Sequence, residues 1–480
     1  MITPRYRIDL DADDDIAAFV NRSSVPDNAV QEGAYTIVQD VRTGGDAALR
    51  AASERFGGSL ANGALTIASD VLTQAWTDAP PDLQAAIEAA AVNIRACHQP
   101  QRPTDSVVTP VPGVEVARLW SPLGRVGVYV PGGQAAYPSS LMMGVIPAQI
   151  AGVPEIVVTS PADAQGNVSS ATLAVAGYLG VTEFVVAGGA QAIAALAYGT
   201  ETIRRVDKIV GPGNSWVTAA KLVVFGACGV DLPAGPSEAV VLTDTTADPR
   251  IVAADLLCQA EHGPDSPVVL VCESKETAES VLEAATVLLT RLTRSDTIVA
   301  SLETYGAVVI GTDLDDRIAF VNDYAPEHTS IHTTDETAVA DRVTRAGSVF
   351  VGPWSPESAG DYATGANHVL PTGGLARSYG PLSVEDFGSF RQVQTLTKEG
   401  LRTLSPTITA LAGAEGLDAH ALAVTIRFEE HGRFEEHGRF EEHGRFEEHG
   451  RFEEAARFEE HGRFEESGPV EEAGRLEEQT

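Results

Sequence analysis

The chain has 480 residues, 44% of them hydrophobic, and a formal net charge of -34. That length allows about three average domains with a sizeable core, and the acidic balance excludes long-range attraction to nucleic acid or an anionic membrane. Cys97, Cys228, Cys258 and Cys272 are scattered without CxxC spacing, which argues against a disulfide framework or a zinc ribbon and fits a reducing cytosol.

The N-terminal stretch MITPRYRIDLDADDD is acidic and has no apolar h-region, so it does not read as a signal peptide. No uncharged apolar run reaches the ~18–20 residues of a membrane span, and a cytoplasmic protein is expected. Residues 1–100 read as helical, with 1–25 a separate helical segment and DLQAAIEAAAVNIRACHQ (82–99) a long Ala-rich helix.

Apolar β-type runs then alternate with helical runs. RVGVYV (125–130), EIVVTS (155–160), EFVVAGG (183–189) and KIVGPGN (208–214) are each followed by a helical stretch. A second set comprises PVVLVCE (267–273), AVVIGTD (307–313) and SVFVG (348–352). Alternation at this spacing predicts βαβ units and parallel sheets. The expected class is α/β, with two Rossmann-like parallel-sheet domains, helical terminal segments and a repetitive acidic tail. From Arg427 the tail runs through nine hexamers of the RFEEHG type, with 18 Glu against 8 Arg and five His. A six-residue period spreads its Phe residues over three helical faces, so no apolar stripe forms. A frayed or disordered extension is expected over 428–480, with metal capture by its His as the alternative.

No GxGxxG occurs. Instead, VPGG (130–133), AGGAQ (187–191) and GPGN (211–214) follow strands. Each sets backbone N–H groups near a helix start, which suits a phosphate, although short βα turns also need Gly for backbone reasons alone. In CQAEHGPDS (258–266), Gln259 and His262 share one helical face at i,i+3. Imidazole is a good zinc ligand and an amide a poorer one. Cys258 reads as a small buried residue, with a thiol nucleophile of the aldehyde dehydrogenase kind as the rival. In NDYAPEHTS (322–330), Glu327 and His328 could divide acid and base work, or form a solvated pair. WSPESAGDYATGANHVLPTGG (354–374) is a polar loop carrying Asp361 and His368, and Glu415 and His420 lie near the start of the last helix.

Together DLPAGPSE (231–238), QAEHGPDS (259–266), APEH (325–328), SPESAGDY (355–362), NHVLPT (367–372), GGAQAIAALAYGTE, VDKIVGPGN and the final AEGLxAH resemble histidinol dehydrogenase, from about residue 10 to about residue 427. The repeat tail departs from that family. The resemblance implies a zinc-dependent homodimer that oxidises L-histidinol to L-histidine in two NAD-dependent steps through the aldehyde. It implies one Zn2+ per subunit, held by Gln259, His262, Asp361 and His420. It implies Glu327 and His328 as the acid–base pair and Tyr129, Gln191 and Asn214 as NAD contacts. Ser237, Gln259, His262, His328, Asp361, Glu415 and His420 would touch substrate, with Glu415 and His420 contributed in trans. The expected domains are 26–125 with 237–380 carrying most catalytic and zinc residues, 126–236 binding NAD, and 381–427 as a helical dimerisation segment. Intact candidate groups argue against a catalytically dead scaffold protein.

Overall fold

Valine- and isoleucine-rich runs without polar alternation are what a parallel sheet covered on both faces requires. The computed structural model describes residues 2–12, 16–132, 137–231 and 235–429. Its strands in chain order are β1 (Tyr6–Asp9), β2 (Thr66–Ile67), β3 (Ser106–Val111), β4 (Val114–Pro122), β5 (Arg125–Tyr129), β6 (Glu155–Ser160), β7 (Glu183–Val186) and β8 (Lys208–Val210). They continue as β9 (Gly229–Val230), β10 (Ala239–Thr243), β11 (Val268–Cys272), β12 (Ala307–Ile310), β13 (His328–His332), β14 (Ser348–Val351) and β15 (Gly388–Leu396). The repeat tail from residue 430, residues 232–234 of DLPAGPSE and Gly133 of VPGG lie outside the described residues.

The first sheet has the order β1-β12-β11-β10-β13-β14 and is parallel throughout. The second has the order β2-β7-β6-β5-β8-β9, with only β2 antiparallel. In both, the chain winds outward one way from a central strand and then the other. The reversals fall between β10 and β13 and between β5 and β8, the positions where doubly wound sheets open a crevice. Every residue of β5, β10, β11 and β13 is buried.

Three expectations need correction. Residues 1–25 are not simply helical, because Tyr6–Asp9 pairs with Ala307–Ile310 as an edge strand of the first sheet. Residues 28–98 pack chiefly on the second sheet, and only the end of Pro81–His98 reaches 363–367, through Asn93, Cys97 and His98. The helix Asn28–Phe56 lies against Gly189–Tyr198 and Ser215–Val224, and Pro81–His98 lies against Pro138–Ala151. The cause is an apolar stripe of Ala34, Val38, Val41 and Leu49, each 0% exposed, that joins the core of Ile193 and Val217. The stretch 381–427 is not all helix either, since β15 pairs antiparallel with β4 in a third sheet of order β15-β4-β3.

The chain divides into two units between Thr397 and Lys398. In the second, the helices Lys398–Ala414 and Asp418–Thr425 pack on each other. No helix among the described residues is long and apolar enough to cross a membrane.

Candidate active site

The chemistry gathers at the N-terminal edge of the first sheet. The helix Leu314–Tyr324 ends on Ala325, a buried non-glycine residue with φ of 48°. That left-handed cap stops the helix, and Pro326 then sends Glu327 and His328 into the start of β13. His328 pairs with Ala239 across to β10. Its N–H donates to the Glu238 carbonyl at 3.2 Å, and the Glu238 N–H donates to Glu327 Oε2 at 3.0 Å.

These two buried carboxylates have different environments. Glu238 receives Arg22 Nε at 2.7 Å, Arg22 Nη2 at 2.6 Å and the Gly373 N–H at 3.0 Å, so its charge is matched. Glu327, 4% exposed, has no Lys or Arg partner among the described residues. Burial pushes its carboxyl well above the usual range; the Glu238 N–H bond opposes this, while the charges of Glu238, Glu357 and Asp361 add to the rise. His328, 3% exposed, is driven down to about 3 by burial first and then by His262 and His368. Its Nδ1 lies 3.8 Å from Glu327 Oε2. A carboxyl pushed up beside an imidazole held neutral is how environment separates acid and base roles in a reacting pair.

The next layer suits a cation. Ligand atoms of His262, Glu357 and Asp361 lie within 4.8 Å of one another. Glu357 is 1% exposed and the Asp361 side chain 13%. Burial, then Asp361, then Asp255, raise the Glu357 carboxyl, and its Oε1 has no partner among the described residues. Fully buried Gln259 sets Oε1 at 3.2 Å from His328 Nδ1 and leaves Nε2 unpartnered. The opposite amide orientation would put an acceptor oxygen at the unpartnered position, and side-chain O and N are assigned by such networks. Mutually repelling carboxylates, an imidazole and an orphaned amide fit a zinc ion, which takes N and O donors. His368, left open by the sequence, joins this layer: its Nδ1 lies 2.9 Å from the Asp361 carbonyl and its Nε2 3.3 Å from Ser140 Oγ.

Of the expected ligands, His262 and Asp361 come together, with Gln259 beside His328. Glu415 and His420 lie in the second unit, both exposed. Ser237 is half-buried, directly before Glu238. Sequence reasoning missed Glu357, although it stands four residues before Asp361 in SPESAGDY, on the same face of the helix Glu357–Tyr362. It also missed Glu238 and Arg22. Burial, then Glu357, Asp361, Asp255 and Glu261, push the Cys258 thiol far up, which disfavours the thiolate that a nucleophile requires.

Tyr129, Gln191 and Asn214 line one cavity of about 500 Å³ beyond the C-terminal ends of β5, β7 and β8. That size suits a cofactor, and the place is the reversal point of the second sheet. Tyr129 Oη accepts from the Gly189 N–H at 3.2 Å, and burial raises its pKa. Asn214 Oδ1 caps the helix Ser215–Val224 by accepting from Trp216 and Val217 N–H. Phe56 and Trp216 add aromatic walls.

The histidinol dehydrogenase family model matches residues 20–428. A Halobacterium salinarum protein named histidinol dehydrogenase is 46% identical over 424 residues, covering 88% of this chain and 98% of that protein. The Methanothermobacter thermautotrophicus protein of the same name is 44% identical over 406 residues, covering 85% and 95%. The crystal structure of histidinol dehydrogenase from Elizabethkingia anophelis superposes with a TM-score of 0.82 at 37% identity, over 88% of this chain and 98% of that one. With fold, motif order and full-length similarity in agreement, this chain is an enzyme of the histidinol dehydrogenase family.

Proposed function

We propose that the enzyme oxidises L-histidinol to L-histidine through L-histidinaldehyde, the last two steps of histidine biosynthesis, in the cytoplasm. The observation that carries this reading is the buried pair of Glu327 and His328, 3.8 Å apart, beside a cluster of carboxylates and imidazole. Tyr129, Gln191 and Asn214 would hold NAD, which would supply the hydride acceptor for each step. Neutral His328 takes the hydroxyl proton as the first hydride leaves, so the alcohol becomes an aldehyde. Glu327, a stronger base for being buried, takes a proton from water as the water oxygen bonds to the aldehyde carbon. The resulting gem-diol monoanion gives up the second hydride and becomes the acid.

The cluster would hold one zinc ion per subunit, which would supply orientation of the substrate. Its proposed ligands are Gln259, His262, Asp361 and His420, with Glu357 alongside. Ser237 and Glu415 contact the substrate, and Glu415 and His420 come from the partner subunit of a homodimer. The assay is NAD reduction with histidinol, with metal analysis before and after chelation. Two equivalents of NADH per histidinol and loss of turnover with loss of zinc are expected. No histidinol-dependent reduction by zinc-loaded protein would overturn the reading.

A further inference from the structure

The third Gly-rich turn is held by a buried ion pair that takes no part in the chemistry above. Gly211 has φ of 115°, and a Cβ there would fall 2.0 Å from the Tyr129 carbonyl oxygen. Its N–H donates to Asp231 Oδ2 at 2.6 Å. Its carbonyl accepts from Lys221 Nζ at 2.5 Å, and the same Nζ stands 2.5 Å from Asp231 Oδ1. Both side chains are 3% exposed.

The geometry forms a closed circuit. Gly211 opens the turn, Asn214 ends it by capping the helix Ser215–Val224, and Lys221 on that helix reaches back to Gly211. Asp231 follows β9, and its own N–H donates to the Ile209 carbonyl in β8 at 3.1 Å. Taking two charges out of water carries a desolvation cost, and a pair of apolar side chains would fill the space without it. An apolar pair, however, could not receive the N–H and supply the carbonyl of one glycine together. The function that requires the ion pair is therefore control of the peptide units on either side of Gly211. That glycine lies against Tyr129 and leads directly to Asn214, two of the residues lining the cavity.

We propose that Lys221 and Asp231 are positioning residues for the dinucleotide: they set the Gly211–Asn214 turn so that Asn214 and Tyr129 meet NAD in register. This rests on the reading of the cavity as the NAD site. Lys221→Met and Asp231→Asn are made in the full-length, zinc-loaded enzyme and assayed at saturating histidinol. KM for NAD rises about tenfold or more, kcat changes less than about threefold, and the calorimetric Kd for histidinol without NAD stays within about twofold. Asp231→Asn keeps an acceptor for the Gly211 N–H, so it serves if Lys221→Met does not fold. In the unaltered enzyme, hydrogen exchange over 211–217 is as slow as in β8 itself, and fast exchange at the turn overturns the clamp. Gln191→Ala is the control on the cavity. If Gln191→Ala leaves KM for NAD unchanged, the NAD reading of the cavity fails. If Gln191→Ala raises it while folded Lys221→Met and Asp231→Asn do not, the cavity reading stands and the clamp is only structural.

Discussion

His328 Nδ1 lies 3.2 Å from Gln259 Oε1, a contact that joins the first residue of β13 to the last turn of the helix Pro249–Ala260. It links the proposed proton-transfer pair directly to a proposed zinc ligand. A change at the metal therefore reaches the base through one hydrogen bond, and the predictions below separate the two.

Replacing Glu327 with Gln lowers the turnover of histidinaldehyde by about 10²–10⁴-fold. The hydride step from histidinol, measured as a single-turnover burst, falls less. The same variant gains stability at neutral pH. The Glu327 carboxyl is raised in the folded state, so wild-type protein loses stability as pH rises above the ordinary 4.5. Melting of metal-free wild type and Glu327→Gln, compared at pH 4 and pH 8, should show a gap only at the higher pH.

His328 has the opposite sign. An imidazole held down near 3 binds its proton less readily folded than unfolded. Its contribution is complete above about 6.5 and is lost as pH falls toward 3. His328→Asn should flatten that acid limb in denaturant titrations, and an unchanged slope would contradict the burial argument.

Glu357→Gln weakens zinc binding by about 10–100-fold, the range for groups that support a metal centre. Competition with a fluorescent chelator measures it. The Asp361→Asn loss should be larger, because Asp361 is a proposed ligand. Equal affinity in wild type and Glu357→Gln would remove Glu357 from the site.

Cys258→Ala keeps turnover within about twofold and costs about 1 kcal/mol of stability at most. Alkylation of Cys258 at pH 8 should be slow, because its thiol is held protonated.

Subunits lacking His420 and subunits lacking Glu327, each inactive alone, regain part of the activity when mixed. Separating verified heterodimers and assaying them checks the sharing of sites, and no recovery argues against it.

Most buried strands were readable because a doubly covered parallel strand is apolar at nearly every position, as in RVGVY and VVLVC. The third sheet was not, because GSFRQVQTL is mostly exposed and carries no apolar run. Nor was β1, four residues with none fully buried. Residues 28–56 could be expected to be helical, but nothing within one helix says which sheet receives its stripe of Ala34, Val38 and Val41. The same limit applied at the site. Glu327, His328, Gln259 and His262 could be singled out because each pair is local in sequence. Glu357 became significant only once folding set it against His262, 95 residues earlier in the chain.

The first sheet has its own reversal point between β10 and β13, and there the buried Asp255 and His332 stand 2.8 Å apart. The reactive pair emerges at the other end of β13, about 13 Å along a five-residue strand. On the side of the sheet that most doubly wound enzymes give to a ligand, an internal buried pair stands here. The loops around it, 244–248 and 333–335, are the natural place to attach a label or insert a reporter without touching turnover.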